Sequence, residues 1–146
     1  MLASFIKFLE EENLLDFSKL NFNTRLKIQK YVYISKSFGR EWRYDYNMYI
    51  HGPYSRDLAE DYFKLHENPE PVTSNMPESF MEKEFTNLVY GKRGKWLNVA
   101  TTLIDQKELF DDNKKLVSHV EAIKHRCSVR FIRSVLNDLI EYQVLV

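Results

Sequence analysis

The chain has 146 residues, 44% of them hydrophobic and 14% aromatic, which suits one domain with a buried core rich in rings. Lysine plus arginine equals aspartate plus glutamate at 21 each, so net charge gives no pull toward nucleic acid or a membrane surface. Four glycines and four prolines argue against a turn-rich all-β fold and against low-complexity linkers.

Cys127 is the one cysteine, which excludes an intramolecular disulfide and fits a reducing cytoplasm. No apolar run approaches the roughly 20 residues of a membrane span. MLASFIKFLEEEN lacks a basic start and turns acidic too early for a secretory signal. The expectation is a cytoplasmic protein with no membrane contact.

Leu2, Phe5, Ile6 and Leu9 recur at helical spacing. They predict a first helix that ends near Asn13, where Glu10 to Glu12 oppose the helix dipole. LLDFSKLNF then reads as a short helix or a packed connection. NFNTRLKIQKYVYISKSFG gives the clearest helix, capped by Asn23 or Thr24 and closed by Gly39 in a left-handed conformation. Its inward stripe is Ile28, Tyr31, Val32, Ser35 and Phe38; Gln29, Lys30, Tyr33, Lys36 and Ser37 fall on the opposite face.

From Arg43 to His51 the pattern alternates, which predicts a half-buried strand. Tyr44, Tyr46, Met48 and Ile50 share one side; Asp45, Asn47, Tyr49 and His51 share the other. Gly52-Pro53 is expected to break this strand. Ser55 then caps a helix with Asp57 in its first turn and Leu58, Tyr62 and Leu65 at helical spacing. HENPEPVTSNMPES holds three of the four prolines and reads as a surface loop.

Three further helices are marked by Phe85, Leu88 and Val89, by Trp96, Val99, Ala100 and Leu103, and by Leu116, Val117 and Val120. Ser128 caps a last one, with Val129, Ile132, Val135, Leu136 and Leu139 inward and Arg130, Phe131, Arg133, Ser134 and Asn137 outward. YQVLV finishes as an extended tail or short strand. The predicted fold is mostly α (α+β), a single domain with a small β element. Residues 1–66 carry the Gly-Pro-Tyr-Ser corner, 67–79 a loop, and 80–146 a tri-helical, winged-helix-like half.

RLKIQKYVYISKSFG followed by YDYNMYIHGPYSRDLAEDYFKL resembles the YwgA-like family of bacteria and archaea. Those proteins carry an Arg-Leu-Gln-Lys helix, a tyrosine strand ending in Tyr-Gly-Pro-Tyr-Ser, and a Leu-Asp helix. Arg25, Gln29, Lys30, Tyr49, Gly52, Pro53, Tyr54, Ser55, Leu58 and Asp61 occupy those positions. His51 stands where the family carries Tyr or Trp. WLNVATTLI is similar to a helix of the family's second half. More distantly, the Gln-Lys helix and Gly-Pro corner resemble Panacea-type antitoxin domains. The resemblance implies a helical fold with a small β element, and a context of toxin neutralisation or mobile-element conflict. It implies no settled biochemical activity.

At the corner, His51, Tyr54, Ser55 and Asp57 are the residue types of nucleophilic catalysis, but Ser55 lacks a Gly-x-Ser-x-Gly surround. Structural roles account for all of them, with Tyr54 and Arg56 presented at the surface. His125-x-Cys127, with His119 nearby, supplies at most half of a zinc site. No metal and no cofactor are expected.

Charge is neutral in sum and divided along the chain. Arg25, Lys27, Lys30, Lys36, Arg40 and Arg43 crowd residues 21–51 against Glu41 and Asp45; Lys92, Arg93 and Lys95 make a second basic spot, and Lys124, Arg126, Arg130 and Arg133 a third. Residues 52–90 hold eight carboxylates against Arg56, Lys64 and Lys83.

Two functions of different classes follow. The first is a non-enzymatic, antitoxin-like module that neutralises or regulates a protein partner through Tyr33, Tyr54, Arg56 and Phe131. The second is a DNA-binding regulator whose Arg130, Arg133 and Asn137, with Lys124 and Arg126, meet duplex DNA; zero net charge weighs against it. A homodimer is compatible with either.

Overall fold

The computed structural model describes residues 1–72 and 75–146; Thr73 and Ser74 of the expected loop lie outside the described residues. In chain order the elements are α1 (Leu2–Glu11), α2 (Phe22–Ser35), β1 (Asn47–Tyr49), β2 (Gly52–Tyr54), α3 (Arg56–Glu67), α4 (Glu82–Val89), α5 (Gly94–Gln106), α6 (Asn113–Ile123) and α7 (Val129–Glu141). The fold is mostly helical with one small antiparallel sheet, as the sequence predicts.

α2 is the centre of the molecule. Its expected stripe, Ile28, Tyr31, Val32, Ser35 and Phe38, is buried. On the face expected to meet solvent, however, Gln29, Lys30 and Tyr33 are buried too. The reason is that α5 packs along that side, while α3, α4 and the hairpin cover the rest. Asn21 caps the helix, two residues before the expected position, by accepting from Thr24 N at 2.9 Å. A 3-10 turn, Lys36–Phe38, leads into Gly39 at φ 93, and a side chain there would overlap the Ser79 carbonyl.

The core beside α1 is built from rings. Phe5 meets Trp42, Phe80 and Phe85 edge-on, with centroids 5.4, 5.9 and 6.0 Å apart.

The strand is shorter than its alternation predicts. Only Asn47–Tyr49 pairs, antiparallel, with Gly52–Tyr54, so that Asn47 faces Tyr54 and Tyr49 faces Gly52. Upstream, Trp42, Tyr44 and Tyr46 do alternate with exposed Arg43 and Asp45. They hold on through side chains instead of a ladder: Trp42 stacks on Tyr44, and Tyr44 donates to Asp61 at 2.7 Å. Met48 and Ile50 are exposed. Gly52-Pro53 does not break the strand. The chain turns at Ile50–His51, and Gly52, at φ 92, opens β2.

Ser55 caps α3, accepting from Leu58 N at 3.2 Å, with Asp57 in the first turn. α5, α6 and α7 pack on one another as the expected tri-helical half. Among the described residues no strand lies in 80–146, so this half has no wing, and what stands of that expectation is three helices packed together. The tail turns back at Gln143, φ 60, and Val144 N donates to Leu139 O at 2.8 Å. Among the described residues no helix is long and apolar enough to cross a membrane.

Candidate functional site

Three side chains from distant parts of the chain grip the hairpin by its backbone. Gln29 donates Nε2–H to Ser55 O at 2.8 Å and accepts from Ser55 N at 2.9 Å. Lys30 donates Nζ–H to Pro53 O at 2.8 Å. Lys124, in the α6–α7 connection, donates to Ile50 O at 3.0 Å and to Asn98 Oδ1 of α5 at 2.7 Å. A Cβ on Gly52 would lie 3.0 Å from Thr102 Oγ1, 3.1 Å from Lys30 Nζ and 3.2 Å from Asn98 Oδ1. The glycine is therefore required twice, by its positive φ and by this close approach.

Lys30 is 1% exposed and has no ion-pair partner among the described residues. Burial, helped by the nearby Lys124 cation, pulls its ammonium down to about 7. Lys124 is also lowered, by burial.

Two cavities flank the hairpin turn and share Leu26 and His51 on their walls. The first, about 550 Å³, lies between α2, the hairpin and the start of α3. Gln29, Lys30 and Tyr62 form its buried end; Arg25 and Arg56 join the rim. The second, about 790 Å³, is bounded by α5 and the α6–α7 connection, with Lys95, Lys124, His125 and Arg126 around Ile50 and Ile123. Among the described residues no carboxylate lines either one. The ion pairs among the described residues, Lys7–Glu11 and Lys115–Asp111, are both exposed pairs four positions apart, so none of these cations has a carboxylate partner there. Ile50 stands 86% exposed between the cavities, and exposed Phe22 packs edge-on to His51 at 5.4 Å.

The residues picked from the sequence separate into two sets. Arg56 lies beside the hairpin and is exposed; Tyr54 is half-buried there, edge-on to Tyr49 at 5.5 Å. Tyr33 is not a surface anchor. It is 8% exposed, donates to Asp105 at 3.3 Å and packs on Tyr46, because α5 covers that side of α2. Burial first, and then the Asp105 carboxylate, pushes its phenol well above the ordinary range. Phe131 is half-buried against the core with Lys95 above its ring at 4.7 Å, so it presents little free apolar surface. Lys124 turns inward to the hairpin carbonyl, away from Arg130, Arg133 and Asn137, which are exposed on α7. Arg126 is exposed and borders the second cavity.

Ser55 is fully buried, its hydroxyl engaged by Leu58 N. His125 is exposed beyond the end of α6, not in its last turn, and Cys127 is half-buried. Among the described residues no group of three or more His, Cys, Asp or Glu is placed to hold a metal ion.

Ile50, Phe22, Ile123 and Asn98 are not among the site residues picked from the sequence, and Lys95 figures there only as part of a basic spot. The sequence carries no signal for the exposure of Ile50, because its alternation puts it on the same side as Tyr44 and Tyr46, which are half-buried. Comparison with protein-family models, with curated proteins and with solved structures finds no match.

Proposed function

We propose that the protein is a non-enzymatic, antitoxin-like binding module that covers an acidic surface of a protein partner with the hairpin face. The observation that supports this reading is Ile50, an almost fully exposed apolar side chain held on a backbone-anchored turn beside a carboxylate-free, cation-lined groove. An apolar anchor with a charged surround is the make-up of an interface hot spot. Unneutralised cations add steering toward an acidic partner. The YwgA-like and Panacea-type resemblance of the sequence agrees with a neutralising role.

The test is parallel capture from source-cell lysate with the wild type, Ile50→Asp and Lys95→Glu, each with and without nuclease. The expected result is an acidic protein held by the wild type, indifferent to nuclease, released by salt and lost from both variants while their folds persist. Recovery unchanged in Ile50→Asp would overturn the reading.

A second reading rests on Arg126, just before α7, and on Arg130, Arg133 and Asn137 along it, all exposed. There the chain would bind duplex DNA. Duplex binding that weakens steeply with salt and is lost in Arg130→Ala with Arg133→Ala would carry it.

A further inference from the structure

The first cavity has features that docking of a protein surface does not use. Its inner end holds a lysine that gives one N–H to Pro53 O and makes no other hydrogen bond among the described residues. An ammonium has three donors. Two therefore remain, on a side chain 1% exposed, at the wall of a space of about 550 Å³. Volumes of roughly 300–1,000 Å³ are those of small-molecule sites. The walls are rings, Phe22, Tyr49, Tyr54 and Tyr62, and the rim carries Arg25 and Arg56.

We propose that this cavity binds a small anion with a planar aromatic body, the anionic group meeting Lys30 and the ring system lying among Phe22, Tyr49 and Tyr54. The anion supplies the acceptors that the spare N–H groups lack, and it provides the only negative charge in a site built from cations. The aromatic rings supply flat apolar surface for the body. Arg25 is partly committed, donating to Leu20 O at 2.8 Å, so it and Arg56 contribute field at the rim more than direct contact.

The site carries a readable protonation signature. Lys30, drawn down to about 7 by burial, is largely neutral at pH 8, and an arriving anion restores its proton. Binding is therefore coupled to proton uptake and weakens as pH rises. The other charged or titratable groups facing the site are Lys124 from the α6–α7 connection, His51, Tyr49 and Tyr54 of the hairpin, Arg25 of α2, and Arg56 and Tyr62 of α3. α5 contributes uncharged Asn98 and Thr102.

The experiment is calorimetric titration of the whole chain with 5′-AMP and anthranilate as aromatic anions, against the halves of each alone: adenosine and inorganic phosphate for the first, aniline and acetate for the second. The expected result is that at least one aromatic anion binds about tenfold more tightly than either half. Which one does so distinguishes a phosphate from a carboxylate. Its apparent enthalpy at pH 8 should vary with buffer ionisation enthalpy, reporting proton uptake, and Lys30→Met should abolish that variation. If Lys30→Met does not fold, His51→Ala takes its place, and persistence of the uptake there keeps the proton on Lys30. Affinity of both aromatic anions no greater than that of their own halves, no binding of any probe, or binding without proton uptake would overturn the proposal. Ile50→Asp leaves the cavity lining intact, so loss of protein capture with anion binding retained separates this site from the docking face.

Discussion

Gln29 and Ser55, 26 positions apart, exchange two hydrogen bonds, of 2.8 and 2.9 Å, in which one side-chain amide imitates a neighbouring strand. Ser55 sits just beyond β2, where its backbone groups are buried and have no strand partner. The amide satisfies donor and acceptor together, a match that only Asn and Gln can offer.

Gln29→Ala is expected to destabilise the fold by on the order of 2 kcal/mol, because it leaves the buried Ser55 N–H unpaired, while Ser55 O keeps its bond from Ala59 N. Chemical denaturation monitored by circular dichroism measures it. A loss below about 0.5 kcal/mol would mean that water replaces the amide at no penalty.

The sequence foretold the helices and the Ser55 and Ser128 caps, because amphipathic spacing and a capping serine are local signals, but it put the cap of α2 at Asn23 or Thr24 instead of Asn21. It placed Gln29 and Lys30 on a solvent face because both are polar, and polarity is what spacing arguments read as exposure. Their partners are carbonyls 26 and 23 positions away, and no local pattern reports a contact at that range. The resemblance that groups Gln29, Lys30 and Gly-Pro-Tyr-Ser did join the contacting residues, without saying why. The hairpin turn was misplaced by two residues for a related reason. A glycine-proline pair is a turn signal by default, yet here glycine serves a close approach to Thr102 and Asn98. Tyr33 was read as an anchor from its helical phase alone, which cannot see α5 packed over it.

Lys30 makes stability depend on pH. In the unfolded chain it keeps its proton up to the ordinary 10.5, while in the folded protein it releases it near 7. Between these values the unfolded state binds more protons, so stability rises with pH, by up to about 1.4 kcal/mol per unit. Lys124 acts in the same direction. Tyr31 and Tyr62, pushed up from 10.0 to about 12 chiefly by burial, act oppositely above pH 10. The clean window is therefore from about pH 7 to about pH 10. Urea midpoints across it should climb in the wild type and flatten in Lys30→Met. A flat wild-type profile would mean that Lys30 stays charged when buried.

Gly52→Ala is expected to lose about 2 kcal/mol through its left-handed backbone and its contact with Thr102, Lys30 and Asn98. Gly39→Ala should lose more, because its Cβ meets the unyielding Ser79 carbonyl, whereas Lys30 Nζ can move. Comparing the two melting temperatures tests the order, and a larger loss at Gly52 would refute it.

Tyr33→Ala and Ile50→Asp separate core from surface. The first should destabilise by about 3 kcal/mol, as truncation of a buried ring does, and the second by less than about 0.5 kcal/mol. Thermal scans of both variants read this directly. A strongly destabilised Ile50→Asp would show that the turn side chain is part of the core.

The hairpin is held through the Ile50, Pro53 and Ser55 carbonyls, groups that every amino acid possesses. The anchoring is thus blind to the side chains at the tip. Met48, Tyr49, Ile50 and His51 are all exposed and can be rewritten without asking the scaffold to refold. On the proposed reading, such an arrangement separates the residues that choose a partner from Gly52 and the side chains that grip the carbonyls, so the two sets can change independently.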